Sequence, residues 1–371
     1  MKRAQAANKL KPEKSKLLRY LKSYLPFWQN KKIGFYGNFG HGDLGDDASF
    51  ISAHELLNNE LLPISKRCYA FNPAMLKSLL IGGGGILRWE SPYIPRRILE
   101  KKSWNFPVIL FSAGINCDYN KQFSLDSENK IKKLCSACSY ITVRDQITRK
   151  FINNLGFNKV SVLPDLELIL KERSKKLDFK KDARTVGIVL SPHSEFASGT
   201  FKSIIDAFSG FTNYLTEKGN NVIYLPFEKK ISENTKEYEI TKEILKAIKF
   251  PQRVKILEEY LEPDEMLYAI RNCCDVMVCM RLHSAIFSVN AGIPFICISY
   301  NLMHKGFLEM MDMQDLDIPL FDNFSQGSLI EKFEYLLKNY SEISQRLIHK
   351  KKILTNMIYK EISYIKENFL K

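Results

Sequence analysis

The sequence predicts an α/β protein of two Rossmann-like, doubly wound domains that face each other across a cleft. Three observations lead there. The chain has 371 residues, beyond the size at which a single hydrophobic core usually stops growing. Short apolar runs alternate with helical stretches, the pattern of a parallel sheet covered on both faces. That alternation occurs twice, and the charged, aperiodic stretch from Lys171 to Arg184 separates the two series as a linker. The boundaries expected are a basic helical extension over 1–30, a first domain over 31–175, a second over 176–328, and C-terminal helices over 329–371.

The extension carries Leu17, Leu18, Tyr20, Leu21, Tyr24 and Leu25 at helical spacing among lysines, with Pro26 closing it. A surface helix packed on its own domain and a helix lying on anionic headgroups both fit that pattern. From Lys32, the runs KKIGFYGN, SLLIGGGGIL, FPVILFSAGI, CSYITVRD and KVSVLPD read as strands, with ASFISAHELLNNE and ITRKFINNLG as helices between them. In the second series RTVGIVLSP, NNVIYLPF, CCDVMVCM and FICISY are strands, and SIIDAFSGFTNYLTEKG, EYEITKEILKAI, PDEMLYAIRN and HSAIFSVNAG are helices. From Leu329 to the end the pattern is helical. Two doubly wound domains in series place a ligand cleft at the carboxyl ends of their strands.

Composition narrows the function classes. An apolar fraction of 45% and a charged fraction of 26% are ordinary for a globular chain. The formal charge of +14 fits an anionic partner or a lysine-rich solvated surface. The aromatics sit in core runs without interleaving a basic stripe, which argues against nucleic acid. No secretory signal opens the chain and no uncharged stretch is long enough to span a bilayer, so a cytoplasmic protein is expected. Of eight cysteines, Cys135 and Cys138 have CxxC spacing but no second pair nearby, so they read as core filler and no metal site is expected.

Four segments are candidates for chemistry. Gly37-Asn38-Phe39-Gly40-His41-Gly42-Asp43-Leu44-Gly45-Asp46-Asp47 joins the first strand to a helix. Its acids would repel a pyrophosphate, so it reads either as a tight turn meeting an acceptor or as a structural helix cap. Gly82 to Gly85 end an apolar strand, and the conformational cost of such a run points to close backbone approach at the cleft, with Gly83 and Gly84 at its centre. Arg144 and Asp145 stand at the carboxyl end of a strand, where open α/β sheets bind ligands, although Asp145 also suits a helix cap paired with Arg144. Arg281-Leu282-His283 follows the buried run DVMVCM: the arginine offers a planar fork for carboxylate or phosphate, and the histidine a proton carrier near neutral pH. The turn Asn290-Ala-Gly292-Ile-Pro294, the run FICISY and a loop from Asn301 to Lys305 belong beside them.

With these residues in view, the chain resembles the polysaccharide pyruvyl transferases. YGNFGHGDLGDDASF, IGGGGIL, FSAGI, VRDQITRKFINNLG, LPD and RLHSAIFSVNAGIPFICISYNLMHKGF occur in the order seen in that family, from Lys32 to Leu308. The resemblance implies a fold similar to GT-B glycosyltransferases and transfer of a pyruvyl group from phosphoenolpyruvate onto two hydroxyls of a sugar, giving a cyclic ketal. It implies that Arg281 and His283 contact phosphoenolpyruvate, with His283 transferring protons, and Arg144 falls on the family's Val-Arg-Asp arginine. Gly37, Asn38, Asp43, Gly45, Asp46, Gly83, Gly84, Tyr300 and Lys305 are the candidate substrate contacts. The chain departs from the pattern in two places. Asp43-Leu44-Gly45-Asp46-Asp47 stands where the family often has Asn-x-Gly-Asp-Glu. The family's lysine, about three residues beyond the tyrosine, is here Met303, with Lys305 two residues later. No cofactor is expected beyond phosphoenolpyruvate as co-substrate. The acceptor sugar is expected to be lipid-linked or nucleotide-linked, with peripheral contact at the inner membrane face. A nucleotide-sugar glycosyltransferase and a non-enzymatic binder are the competing readings.

Overall fold

The computed structural model describes residues 31–58, 60–65, 73–100, 104–119, 121–177, 182–191, 198–228, 236–322 and 324–370. The basic extension over 1–30 lies outside the described residues, as does the middle of the Lys171–Arg184 segment.

Two six-stranded parallel sheets form among the described residues. The first holds β1 (Lys32–Gly37), β2 (Leu61–Ser65), β3 (Leu76–Arg88), β4 (Val108–Asn116), β5 (Tyr140–Val143) and β6 (Ser161–Val162), in the order β2-β1-β3-β4-β5-β6. The second holds β7 (Thr185–Val189), β8 (Asn221–Tyr224), β9 (Val254–Ile256), β10 (Val276–Cys279), β11 (Phe295–Ser299) and β12 (Asp317–Pro319), in the order β12-β11-β10-β7-β8-β9. The sequence order reverses beside β1 in one sheet and beside β7 in the other. Crevices open at such switch points, outside the carboxyl ends of the strands.

Strands buried on both faces are the ones whose sequences are continuously apolar; β7, β8, β10 and β11 are buried along their whole length. The edge strands β2, β9 and β12 are short and weakly marked, and β2 carries Pro63, which an edge tolerates because the missing N–H faces outward. The four glycines do not end β3. The strand continues through them to Arg88, with Gly83 and Gly84 at φ 73° and 99° and a shift in the β3–β4 register between Gly84 and Leu87. A left-handed backbone inside a strand produces a bulge that re-aims the chain without breaking the sheet.

Helices α1 (Leu44–Leu56), α2 (Arg96–Glu100), α3 (Leu125–Ala137) and α4 (Gln146–Asn154) cover the first sheet. Helices α5 (Ser198–Glu217), α6 (Lys236–Lys246), α7 (Pro263–Cys273), α8 (Leu282–Ala291) and α9 (Leu302–Met311) cover the second, followed by α10 (Gln326–Lys338) and the 30-residue α11 (Tyr340–Phe369). The expected loop from Asn301 to Lys305 is instead the start of α9, because the Asn301 side chain accepts from the Met303 and His304 amides and caps it. Helix α11 returns to the first lobe, where Tyr140 bonds Glu361 and packs on Tyr364 and Phe369.

One hydrophobic cluster runs through both lobes, joining Phe35 and Phe50 to Phe287 and Ile358, and a second lies wholly within the first lobe. Backbone bridges also cross between the lobes at Asp43–Glu228 and Asp118–Asn301, with Leu44 N donating to Phe227 O at 3.1 Å and Leu302 N to Cys117 O at 2.9 Å. Cys135 and Cys138 are unbridged, and burial raises both thiols, Cys135 to about 12. Among the described residues no helix is long and apolar enough to cross a membrane.

Candidate active site

A cleft of about 370 Å³ opens between the lobes at the switch points of both sheets. Asn38, Asp43 and Asp46 reach it from the β1–α1 turn, and Gly85, Ile86, Arg88, Tyr93 and Asn116 from the carboxyl ends of β3 and β4. The opposite wall holds Ser191, Glu228, Arg281, Leu282, His283, Tyr300, Asn301, Met303 and His304.

Asp43 is the hub. As N-cap of α1 its Oδ1 accepts from the Gly45 and Asp46 amides at 2.9 and 3.2 Å, and the same oxygen lies 3.2 Å from His283 Nδ1. Its Oδ2 accepts from Arg281 Nη1 at 3.4 Å. Burial alone would raise this carboxyl, but the His283 bond and the charges of His283 and Arg281 hold it far below the usual range. Glu167 approaches His283 from behind, with Oε1 3.9 Å from Nε2. It is fully buried, accepts from Ser49 Oγ at 2.5 Å, and is raised by burial and by Asp165. Burial would depress the imidazole, yet Asp43, Glu167 and Asp46 together raise it to about 9, so His283 is a cation at neutral pH.

A carboxyl shift of the opposite sign occurs three residues beyond Asp43. Asp46 is raised to about 8 by burial and by the neighbouring Asp43 charge, against the Asn38 amide that donates to its Oδ2 at 2.5 Å. His304, fully buried, is lowered to about 3 by burial, with Nδ1 2.7 Å from Asn301 Oδ1 and Nε2 3.3 Å from Met280 O. The cleft therefore holds a charged imidazole, a neutral imidazole and a protonated carboxyl within one wall and turn. Environments that push neighbouring groups apart in this way are the mark of acid–base chemistry.

Of the expected residues, Asn38, Asp43, Asp46, Tyr300, Arg281 and His283 come together in the cleft. Gly45 lies against the imidazole, where a Cβ would fall 1.8 Å from His283 Cγ, and Gly84 lies against Asp46, with 2.5 Å to Oδ1. Gly37 and Gly83 serve packing instead; added Cβ atoms there would meet Gly82 O at 2.7 Å and the Phe35 ring at 3.0 Å.

Two expectations are corrected. Arg144 does not line the cleft: it is 2% exposed, passes beneath Gly114, and pairs with Asp145 at 3.5 Å and Asp165 at 3.4 Å. Asp145 also caps α4, accepting from the Thr148 amide at 2.6 Å, so this arginine and aspartate close a buried ion pair at a strand end. Lys305 lies outside the cleft on an exposed side of α9, in a groove with Tyr119 and Phe321. Once Asn301 starts a helix, the 100° step per residue aims Met303 and His304 at the cleft and turns Lys305 away. Arg281, finally, is not open. Its Nη2 donates to Glu228 at 2.9 Å and stands 3.7 Å from Glu237, which burial raises to about 7. Glu228, Arg88, Tyr93, Asn116, Ser191, Glu167 and His304 went unmarked in the sequence; Glu228 after NNVIYLPF, Asn116 after FPVILFSAGI and Ser191 at the end of RTVGIVLSP carried a strand-end signal.

The sequence pattern of the polysaccharide pyruvyl transferase family matches residues 7–301. The chain belongs to that family. Among curated relatives, the amylovoran biosynthesis protein AmsJ of Erwinia amylovora is 23% identical over 249 residues, which cover 61% of this chain and 59% of that relative. The match thus spans about three-fifths of the relative's length. Solved structures share the fold at low identity. An E. coli structure described as trehalose-6-phosphate bound with UDP-2-fluoro glucose superposes with TM-score 0.56 and 9% identity, covering 91% of this chain and 98% of that one. The kitacinnamycin glycotransferase gives 0.54 and 10%, covering 92% and 100%. These likenesses show that this member of the pyruvyl transferase family has the two-lobed GT-B architecture.

Proposed function

We propose that the cleft moves a pyruvyl group from phosphoenolpyruvate to two hydroxyls of a sugar in a polysaccharide precursor. The observation that carries this reading is the placing of His283 3.2 Å from Asp43 and 3.9 Å from Glu167, beside Arg281 at the meeting of the two sheets. Enol phosphates react once the methylene carbon is protonated, and a positioned imidazolium is suited to that step. The proton leaves His283 for the methylene carbon, and C2 takes on oxocarbenium character. One sugar hydroxyl adds to C2, the C2–O–phosphate bond breaks, and phosphate departs with its electron pair. The second hydroxyl then closes the ketal, and the protons of the two hydroxyls pass to phosphate and to the neutral imidazole. His283, Arg281 and Tyr300 are the residues proposed to meet the donor; Asn38, Asp43 and Asp46 face the acceptor.

The work is placed in the cytoplasm, where phosphoenolpyruvate is made, on a sugar carried by a lipid or a nucleotide, with peripheral contact at the inner membrane face for a lipid carrier. Incubation with phosphoenolpyruvate and nucleotide-linked hexoses should release phosphate and give a sugar heavier by one pyruvyl ketal. Absence of both products across the hexose series, with lipid-linked acceptors included, sinks the reading.

A further inference from the structure

An anionic donor needs fixed cations, and the arginines and lysine expected to supply them are already paired with carboxylates or lie outside the cleft. Arg281 is met by Asp43, Glu228 and Glu237. Arg144 is buried with Asp145 and Asp165, and Lys305 lies outside the cleft. Arg88 is different. It stands on the cleft wall at the end of β3, just beyond the glycine bulge, opposite Asn116 of β4 in the ladder. Among the described residues its guanidinium meets only Tyr93: Nη1 donates to the phenol oxygen at 2.5 Å, and Cζ lies 5.2 Å from the ring centroid. A phenol orients a guanidinium without neutralising it.

The mounting is firm. Ser127 Oγ at the start of α3 donates to the Arg88 carbonyl at 2.6 Å, and the Tyr93 amide donates to Ile86 O at 2.9 Å, folding the tyrosine back over the strand end. Beside it, Gly85 lets Met303 and Asn116 close in on the strand end, since an added Cβ would fall 2.7 Å from Met303 Sδ and 3.1 Å from Asn116 Cβ. A charged fork whose guanidinium meets no carboxylate among the described residues, with a side-chain amide on the same cleft wall, forms a receptor for two oxygens of one anion.

We propose that Arg88 is the anion anchor of this cleft, holding a phosphate-type group of a substrate while Tyr93 fixes the plane of its fork. The choice of substrate rests on the pyruvyl-transfer reading. The phosphate belongs either to phosphoenolpyruvate or to the carrier of the acceptor sugar, and both present the same chemistry to Arg88.

Calorimetric titration of the full chain with phosphoenolpyruvate, with UDP-glucose and with inorganic phosphate separates the sources. Arg88→Gln should weaken at least one of the first two roughly 10- to 100-fold, the loss of a charge-assisted hydrogen-bond pair. Loss for phosphoenolpyruvate alone assigns the donor phosphate; loss for UDP-glucose alone assigns the carrier. Arg88→Lys keeps the charge without the fork and should fall between wild type and Arg88→Gln. If Arg88→Gln does not fold, Arg88→Lys and Tyr93→Phe replace it, and weakened binding in Arg88→Lys carries the same meaning. Wild-type affinity for every ligand in the folded variants overturns the anchor, as does a wild-type protein that binds none of the three. These binding measurements stand apart from turnover. Binding that depends on Arg88 with no ketal formed removes the pyruvyl reading and leaves the anchor, and ketal formation with binding indifferent to Arg88 does the reverse.

Discussion

Asp43 carries a full charge where an asparagine would carry an amide, and the difference matters because of what the oxygen touches. An asparagine would still cap α1, but it would lack the full charge that holds the imidazolium. His283 lies above its unfolded value, raised to about 9. The stability it contributes is complete below about pH 6.5 and is lost as pH rises through about 9. Turnover that needs the imidazolium as acid should fall over the same upper range. In Asp43→Asn the alkaline limb should move down by about one to two pH units, with the fold retained, and a pH–rate profile or imidazole NMR titration checks it. An unmoved limb would mean that Asp43 does not govern the histidine. His283→Gln should abolish phosphate release with the fold retained and thermal unfolding lowered by the lost pairing with Asp43 and Glu167; normal turnover would discard the proton-transfer role. His283 and Arg281 were legible because a buried apolar strand delivers them at its end. Arg88 was not, because Gly82 to Gly85 read as the end of an apolar strand, whereas β3 continues through them to Arg88.

At the scale of elements, the turn into α1 is shaped around a side chain of the other lobe. Gly45 is close enough to His283 that any Cβ would displace the ring. Gly45→Ala should therefore cost about 1–3 kcal/mol by overpacking and lower kcat by on the order of 100-fold through a misplaced imidazole. Denaturant unfolding and steady-state kinetics read the two effects, and a fully active Gly45→Ala variant would contradict the geometry. The long, doubly buried strands were readable because both their faces are apolar. The edge strands β2, β9 and β12 were not, being three to five residues long and, in β2, interrupted by Pro63. The Asn301 segment read as a loop because its cap is a side-chain hydrogen bond whose consequence, a helix that rotates Lys305 outward, appears only when the register is known.

For the whole molecule, the last helix is a strap. Ile358, Ile362 and Ile365 of α11 are buried, and Phe369 reaches Tyr140 of the first sheet. Ile362→Ala should lower stability by about 2–5 kcal/mol, read by urea unfolding, and a loss below 1 kcal/mol would show that the strap is not bearing on the core. The two-sheet plan followed from the repeated alternation of patterns, whereas the shared core did not, since a continuous hydrophobic cluster across a linker leaves no periodic trace. The two backbone bridges at Asp43–Glu228 and Asp118–Asn301 have a mechanical meaning of their own. Main-chain hydrogen bonds from Leu44 N to Phe227 O and from Leu302 N to Cys117 O tie one lobe to the other beside the cleft and resist their parting. Small-angle scattering curves with and without phosphoenolpyruvate should therefore overlay.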